Sequence, residues 1–270
     1  MPFARTNGVV LHYRLAGRRG APRIAFANSL GSDMAIWEEV ADELGRDFEL
    51  LFHDKRGHGL SEVAATPGGI ADYANDLAGL LDHVGWEDAA LCGVSVGGLI
   101  AMDFALRMPR RVAKLVLMAT APKIGTPEAW NERIAAVRER GVAAIGDQIM
   151  QRWFSPDFRT SRADAFSGWQ RMLERTPAAG YVDTCAALRD ADLTAAIASI
   201  GTPTLVIAGA QDLSTPPDLV AATARRIPAA AIRTIAGCGH LPCIEYPAEV
   251  ASLLREFLNA TVPERSGLAV

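Results

Sequence analysis

The chain has 270 residues, half of them hydrophobic, with 27 basic against 31 acidic side chains and a net charge of −4. That apolar content is enough for a sizeable core, while the charges lie scattered, with no basic stripe for nucleic acid and no polybasic patch for a membrane surface. The uncharged stretch around Ser95, residues 89–102, falls short of the roughly 20 residues a bilayer-spanning helix needs and holds three glycines.

The opening segment, MPFARTNGVVLHYR, lacks the apolar run of a secretory signal, and the four cysteines have no framework spacing, so a reduced, cytoplasmic protein is expected. Apolar runs rich in β-branched or aromatic residues then recur at 9–15, 23–29, 48–54, 89–94, 112–120, 202–210 and 230–237, and read as strands. Helical patterns fall between or after them at 35–44, 71–84, 97–107, 217–227 and 247–258. Strand and helix alternate, and strands apolar on both faces fit a mostly parallel central sheet flanked by helices, an α/β fold. From 122 to 190 the rhythm breaks: no strand is apparent, and helical patterns carry ten basic and nine acidic residues. The expected organisation is a core of residues 1–121 and 191–260, an inserted helical cap at 122–190, and a frayed tail at 261–270.

The stretch LCGVSVGGLIAM (91–102) sets Ser95 between Gly93 and Gly97, after a strand and before a helix. This is the pattern of a strained strand-to-helix turn that exposes a hydroxyl at the carboxyl end of a sheet, where ligands gather. A serine that merely opens a helix is the plain alternative. A serine nucleophile needs a base, and the base an orienting group. His240 follows the last strand in GCGHLPCIEYP, and Asp212 follows the strand before it in LVIAGAQDLSTP, 28 residues earlier. Both loops should lie at the same sheet edge as Ser95, in the order Ser, Asp, His that such an elbow keeps. A turn-capping role for Asp212 and a structural role for His240 are the alternatives. His58 in DKRGHGLS is the rival base; His12 and His53 fall in strands and His83 in a helix, where packing or solvation is expected. Cys238, His240 and Cys243 cluster, but Cys92 and Cys185 belong to other segments, so neither a metal site nor a cofactor is expected.

The elbow, the late acid and histidine, and DKRGHGLS (54–61) together resemble the α/β-hydrolase superfamily, whose members often carry an Asp-x-Arg-Gly-x-Gly-x-Ser loop after an early strand. The resemblance spans residues 9–258. Within that superfamily NSLGSDMAIW (28–37), WNERI (130–134), RWFSPDF (152–158), YVDTCAALRDADL (181–193) and CGHLPCIEYP (238–247) are similar to 3-oxoadipate enol-lactonases, which open an enol-lactone in bacterial breakdown of protocatechuate or catechol. Most superfamily members have His-Gly where this chain has Asn28-Ser29, a change those lactonases share. The resemblance implies a Ser95–His240–Asp212 triad, an oxyanion hole of the Leu30 and Val96 backbone N–H groups, no cofactor, and a small lactone substrate carrying a carboxylate. That carboxylate calls for a cation. On a helix through TPEAWNERIAAVRERG (126–141), Trp130, Ile134 and Val137 form an apolar stripe, and Arg133 lies at its rim, about 60° from Trp130 and 40° from Val137. Arg133, with Trp130 and Trp153, is the expected substrate contact, and Arg140 the reserve. The competing readings are a carboxylesterase, a carbon–carbon bond hydrolase or a perhydrolase on the same scaffold, or a hydrolase-derived ligand receptor. A haloalkane dehalogenase would need an aspartate in place of Ser95. The oligomeric state is not legible.

Overall fold

The computed structural model describes residues 2–260; the expected tail at 261–270 lies outside the described residues. Eight strands form one sheet: β1 (Phe3–Thr6), β2 (Val9–Gly17), β3 (Arg23–Ala27), β4 (Glu49–His53), β5 (Ala89–Val94), β6 (Val112–Met118), β7 (Thr204–Gly209) and β8 (Ala231–Ile235). Their spatial order is β1-β2-β4-β3-β5-β6-β7-β8. β2 runs antiparallel to both β1 and β4, and every other pairing is parallel. The central β5 and β7 are buried at every residue, which is why they read as unbroken apolar runs.

β1 is absent from the sequence reading because only Ala4 of its four residues is buried, so no period-two signal exists. The hairpin signal was there in the next two residues: Asn7 and Gly8 both take positive φ, 47° and 78°, as a tight turn between twisted strands requires.

Around the sheet pack α1 (Glu38–Leu44), α2 (Ile70–His83), α3 (Val96–Arg107), α9 (Pro217–Arg226), α10 (Pro242–Glu245) and α11 (Pro247–Asn259). The expected helix at 35–44 is split: a 3₁₀ turn, Met34–Trp37, opens on Asp33, whose side chain accepts from Ala35 N–H, and α1 follows. Every residue of α3 from Val96 to Ala105 is buried, making it the central helix. The core's largest side chains include Trp37, Phe26 and Phe52, the last two stacked with centroids 4.8 Å apart. Each buries about 1.5–3 kcal/mol of transfer free energy.

Between β6 and β7 the chain leaves the sheet for the segment expected as a cap, with helices α4 (Pro127–Arg140), α5 (Gly146–Trp153), α6 (Pro156–Ser161), α7 (Ala163–Glu174) and α8 (Ala178–Asp190). Proline at the first position and a capping Thr126 or Ser155 start α4 and α6. α8 seats on the core through Tyr73 Oη and Thr184 Oγ1 at 2.8 Å, and through backbone-to-backbone contact of Gly180 with Gly57, where a Cβ on either residue would overlap the other's main chain.

Candidate active site

Ser95 is the single residue between β5 and α3, and it sits at φ 58°, ψ −122°. A non-glycine residue there is held against roughly 1–3 kcal/mol of strain. The sequence makes the turn possible with its glycines: a Cβ at Gly93 would overlap the Gly97 carbonyl, and one at Gly97 the Ala27 carbonyl. β6 holds the turn from one side, Ser95 N–H donating to Met118 O at 3.0 Å and Thr120 Oγ1 to Ser95 O at 2.7 Å. The side chain faces a cavity.

Asp212 and His240 come from the loops after β7 and β8, and meet. His240 Nδ1 lies 2.8 Å from Asp212 Oδ2. Asp212 Oδ2 also accepts from Thr215 Oγ1 at 2.7 Å, and Oδ1 accepts from Ser214 N–H and Thr215 N–H at 2.7 and 3.0 Å. Burial alone would raise the Asp212 carboxyl, but the His240 imidazole and the Thr215 donors hold it below the usual carboxylate range. An ionised Asp212 assigns the Nδ1 proton to the bond between them and leaves Nε2 free to accept one. The His240 backbone is fixed from the cap, its N–H donating to Trp153 O at 2.8 Å.

Ser95 and His240 line one cavity of about 110 Å³, small beside the roughly 300–1,000 Å³ that drug-sized ligands occupy. Leu30 borders it from the core, and Trp130, Arg133 and Trp153 from α4 and α5. Val96, the first residue of α3, directly follows Ser95, and its N–H has no acceptor one turn back within the helix. The Arg133 guanidinium lies 4.9 Å from the Trp130 ring centroid. Arg140 does not reach the cavity: its side chain is 61% exposed, 3.9 Å from Glu139.

The sequence reading missed Arg152, which also lines the cavity. It sits on α5 beside Trp153 and donates from Nη2 to Leu213 O at 2.9 Å, tying the cap to the loop of Asp212. Burial, and then the nearby charge of Arg133, lowers its pKa, so two guanidinium groups face one space. Neither has a carboxylate within ion-pair distance among the described residues. Adjacency to Trp153 was the available signal.

The remaining histidines are elsewhere. His58, the rival base, is fully buried away from the cavity; its Nε2 accepts from Gly31 N–H at 3.0 Å and its Nδ1 faces Arg56 O at 3.2 Å. Burial pushes it well below the ordinary histidine value, so it stays neutral. His12 lies 2.7 Å from Asp54, His83 3.2 Å from Tyr13, and burial brings His53 down to about 4. The four cysteines are buried free thiols, and burial pushes all of them up.

A strand-turn-helix elbow at the centre of this sheet, with an acid and a histidine on the loops after β7 and β8, defines a class. The chain belongs to the α/β-hydrolase family, whose profile for the alpha/beta hydrolase fold matches residues 22–247. It is a hydrolase with enol-lactonases among its relatives. It is 35% identical over 204 residues to 3-oxoadipate enol-lactonase 2 of Acinetobacter baylyi, covering 76% of each chain. The crystal structure of the enol-lactonase from Burkholderia xenovorans LB400 superposes with a TM-score of 0.93 at 33% identity, over 96% of this chain and 100% of that one. Similarity extends to other chemistry: a putative carbamate hydrolase RutD of Agrobacterium fabrum is 32% identical over 223 residues, 76% of this chain and 82% of that protein. Among the described residues no helix is long and apolar enough to cross a membrane.

Proposed function

We propose that the protein is a serine hydrolase that opens 3-oxoadipate enol-lactone to 3-oxoadipate in bacterial degradation of aromatic compounds, acting in the cytoplasm without metal or cofactor. The observation that carries the reading is the pairing within one small cavity of Ser95 and His240 with two guanidinium groups, Arg133 and Arg152, that lack a carboxylate partner. The substrate supplies one: a lactone ring with a carboxylate on a short arm.

His240 Nε2 takes the Ser95 proton as Oγ bonds to the lactone carbonyl carbon, and Asp212 stabilises the imidazolium. The carbonyl electron pair moves onto oxygen, which sits between the Leu30 and Val96 N–H groups. Collapse breaks the ring C–O bond; the enol oxygen leaves with the proton from His240 and stays tethered to the acyl-enzyme. Ketonisation of the freed enol draws the reaction forward. Water, deprotonated by His240, attacks the ester, and Ser95 leaves with its proton restored.

The test offers purified protein the enol-lactone, p-nitrophenyl esters and a vinylogous diketone, following the lactone by loss of its ultraviolet absorbance. The reading requires kcat/KM to be highest for the lactone. Preference for an ester or for carbon–carbon cleavage would replace it with another hydrolase on this scaffold, and a single slow turnover with a ligand receptor.

A further inference from the structure

The loop after β4, Asp54-Lys55-Arg56-Gly57-His58-Gly59, is the motif that the proposed reaction leaves without a task. Lys55 within it is 2% exposed, a state lysine almost never reaches unless its ammonium is satisfied. Its Nζ donates to the carbonyl oxygens of Ser29 and, at 3.0 Å, of Ser32, one on each side of Leu30-Gly31. The Ser32 hydroxyl also donates to Ser29 O, at 2.9 Å.

A trans peptide unit is planar, so the Ser29 C=O and the Leu30 N–H form one rigid piece and point in opposite directions. Anchoring the oxygen on Lys55 therefore aims the Leu30 N–H away from the lysine. The next peptide is fixed too, its Gly31 N–H donating to the neutral His58 Nε2. Hydrogen bonds in series polarise one another, so a cation on the carbonyl makes the N–H of the same unit a stronger donor.

We infer that Lys55 is a positioning residue for the oxyanion hole, its ammonium orienting and polarising the Ser29–Leu30 peptide so that the Leu30 N–H meets the negative charge of the tetrahedral intermediate. The inference rests on the reading of Leu30 as an oxyanion donor. The charged and titratable groups around the ammonium are Asp54 and Asp33, which favour its charge, with His53 and His58, whose protonation it opposes, and His12, bound to Asp54. Burial outweighs the two carboxylates and brings Lys55 from 10.5 down to about 7. The charged form, and the full strength of the grip, belong to the acid side of that value.

Lys55→Met keeps the stem without a donor, and Lys55→Gln keeps a donor without charge. Wild type and both variants are assayed on p-nitrophenyl acetate and on the enol-lactone, with circular dichroism and thermal melting to establish folding. In Lys55→Met, kcat should fall roughly tenfold to a hundredfold on either substrate while KM moves by less than about twofold, with Lys55→Gln between. A trifluoromethyl ketone, which forms a tetrahedral adduct, should lose affinity in step with kcat. The wild-type kcat should decline on the alkaline side as Lys55 loses its proton, and that limb should be missing from Lys55→Met. An unchanged kcat in a folded Lys55→Met, or the same limb in both proteins, overturns the inference. Should Lys55→Met not fold, Lys55→Gln and the wild-type limb decide by the same criteria. Turnover of the ester without the lactone refutes the lactonase reading, and the ester kinetics still decide the part played by Lys55.

Discussion

Ser95 is buried but lines the cavity, and alanine keeps its Cβ while dropping one oxygen, so the change should be felt in turnover and hardly in folding. Ser95→Ala is expected to abolish hydrolysis with an unchanged melting temperature; near-normal turnover would remove Ser95 as nucleophile. Asp212→Asn should keep the fold and lower kcat by orders of magnitude, because an amide no longer dictates the His240 tautomer. Steady-state kinetics on the enol-lactone checks both. Arg133→Ala should cost the enol-lactone on the order of 2 kcal/mol of transition-state stabilisation and a neutral ester of similar size little. Arg152→Ala should differ, hurting both substrates, since Arg152 also holds the Asp212 loop through Leu213 O. Equal losses on both substrates for Arg133→Ala would make it a support of the cap. That Ser95 and His240 share a cavity and that Asp212 meets His240 was legible in sequence because each residue follows an apolar run, and parallel strands end at one edge of the sheet. The contacts of Lys55 and His58 were not, since their partners are backbone atoms, mostly of another loop, and backbone atoms leave no mark in the residue alphabet.

At the scale of elements, β4 ends in a conflict. His53 is buried, its Nδ1 has no hydrogen-bond partner, and burial lowers its pKa from 6.5 to about 4. Between those values the unfolded chain binds a proton that the folded chain refuses, so stability falls as pH drops from about 6.5 towards 4. His58, shifted the same way, adds to the slope. Denaturant unfolding across that range should be less pH-dependent in His53→Gln than in wild type; equal slopes would mean His53 does not titrate this way. The seat of α8 is as sensitive to a single methyl group. Gly180→Ala would drive a Cβ into the Gly57 carbonyl, backbone that has no rotamer to yield, and should cost about 1–3 kcal/mol in denaturant unfolding. A cost near zero would mean that α8 slides freely on the core. Element boundaries for α2, α9 and α11 were readable to within a residue because their apolar faces repeat cleanly, and those of α3, buried all round from Val96 to Ala105, because the glycine-flanked turn at Ser95 marks its start. The short α10 was not readable, since four residues carry no period.

For the whole molecule, the α/β alternation and the interruption at 122 were legible because buried parallel strands and amphipathic helices write different periods. The sequence pointed to Trp130, Arg133 and Trp153 of the cap, but it did not disclose that Arg152 joins them or that Thr176 reaches the core. The cap helices supply both guanidinium groups and both tryptophans of the cavity, and Thr176, two residues past α7, donates to Gly31 O at 3.3 Å, touching the loop that bears Leu30.

The bond from His240 N–H to the Trp153 carbonyl has a consequence for how such proteins can diversify. A lid that only covers a pocket could be exchanged between relatives like an interchangeable part, changing the menu and leaving the engine alone. Here the insertion also shims the engine: a chimera carrying a foreign cap inherits its new pocket walls together with a different rest for the histidine main chain. New specificity on this scaffold is therefore more accessible through side-chain changes within α4 and α5 than through transplanting the helices whole.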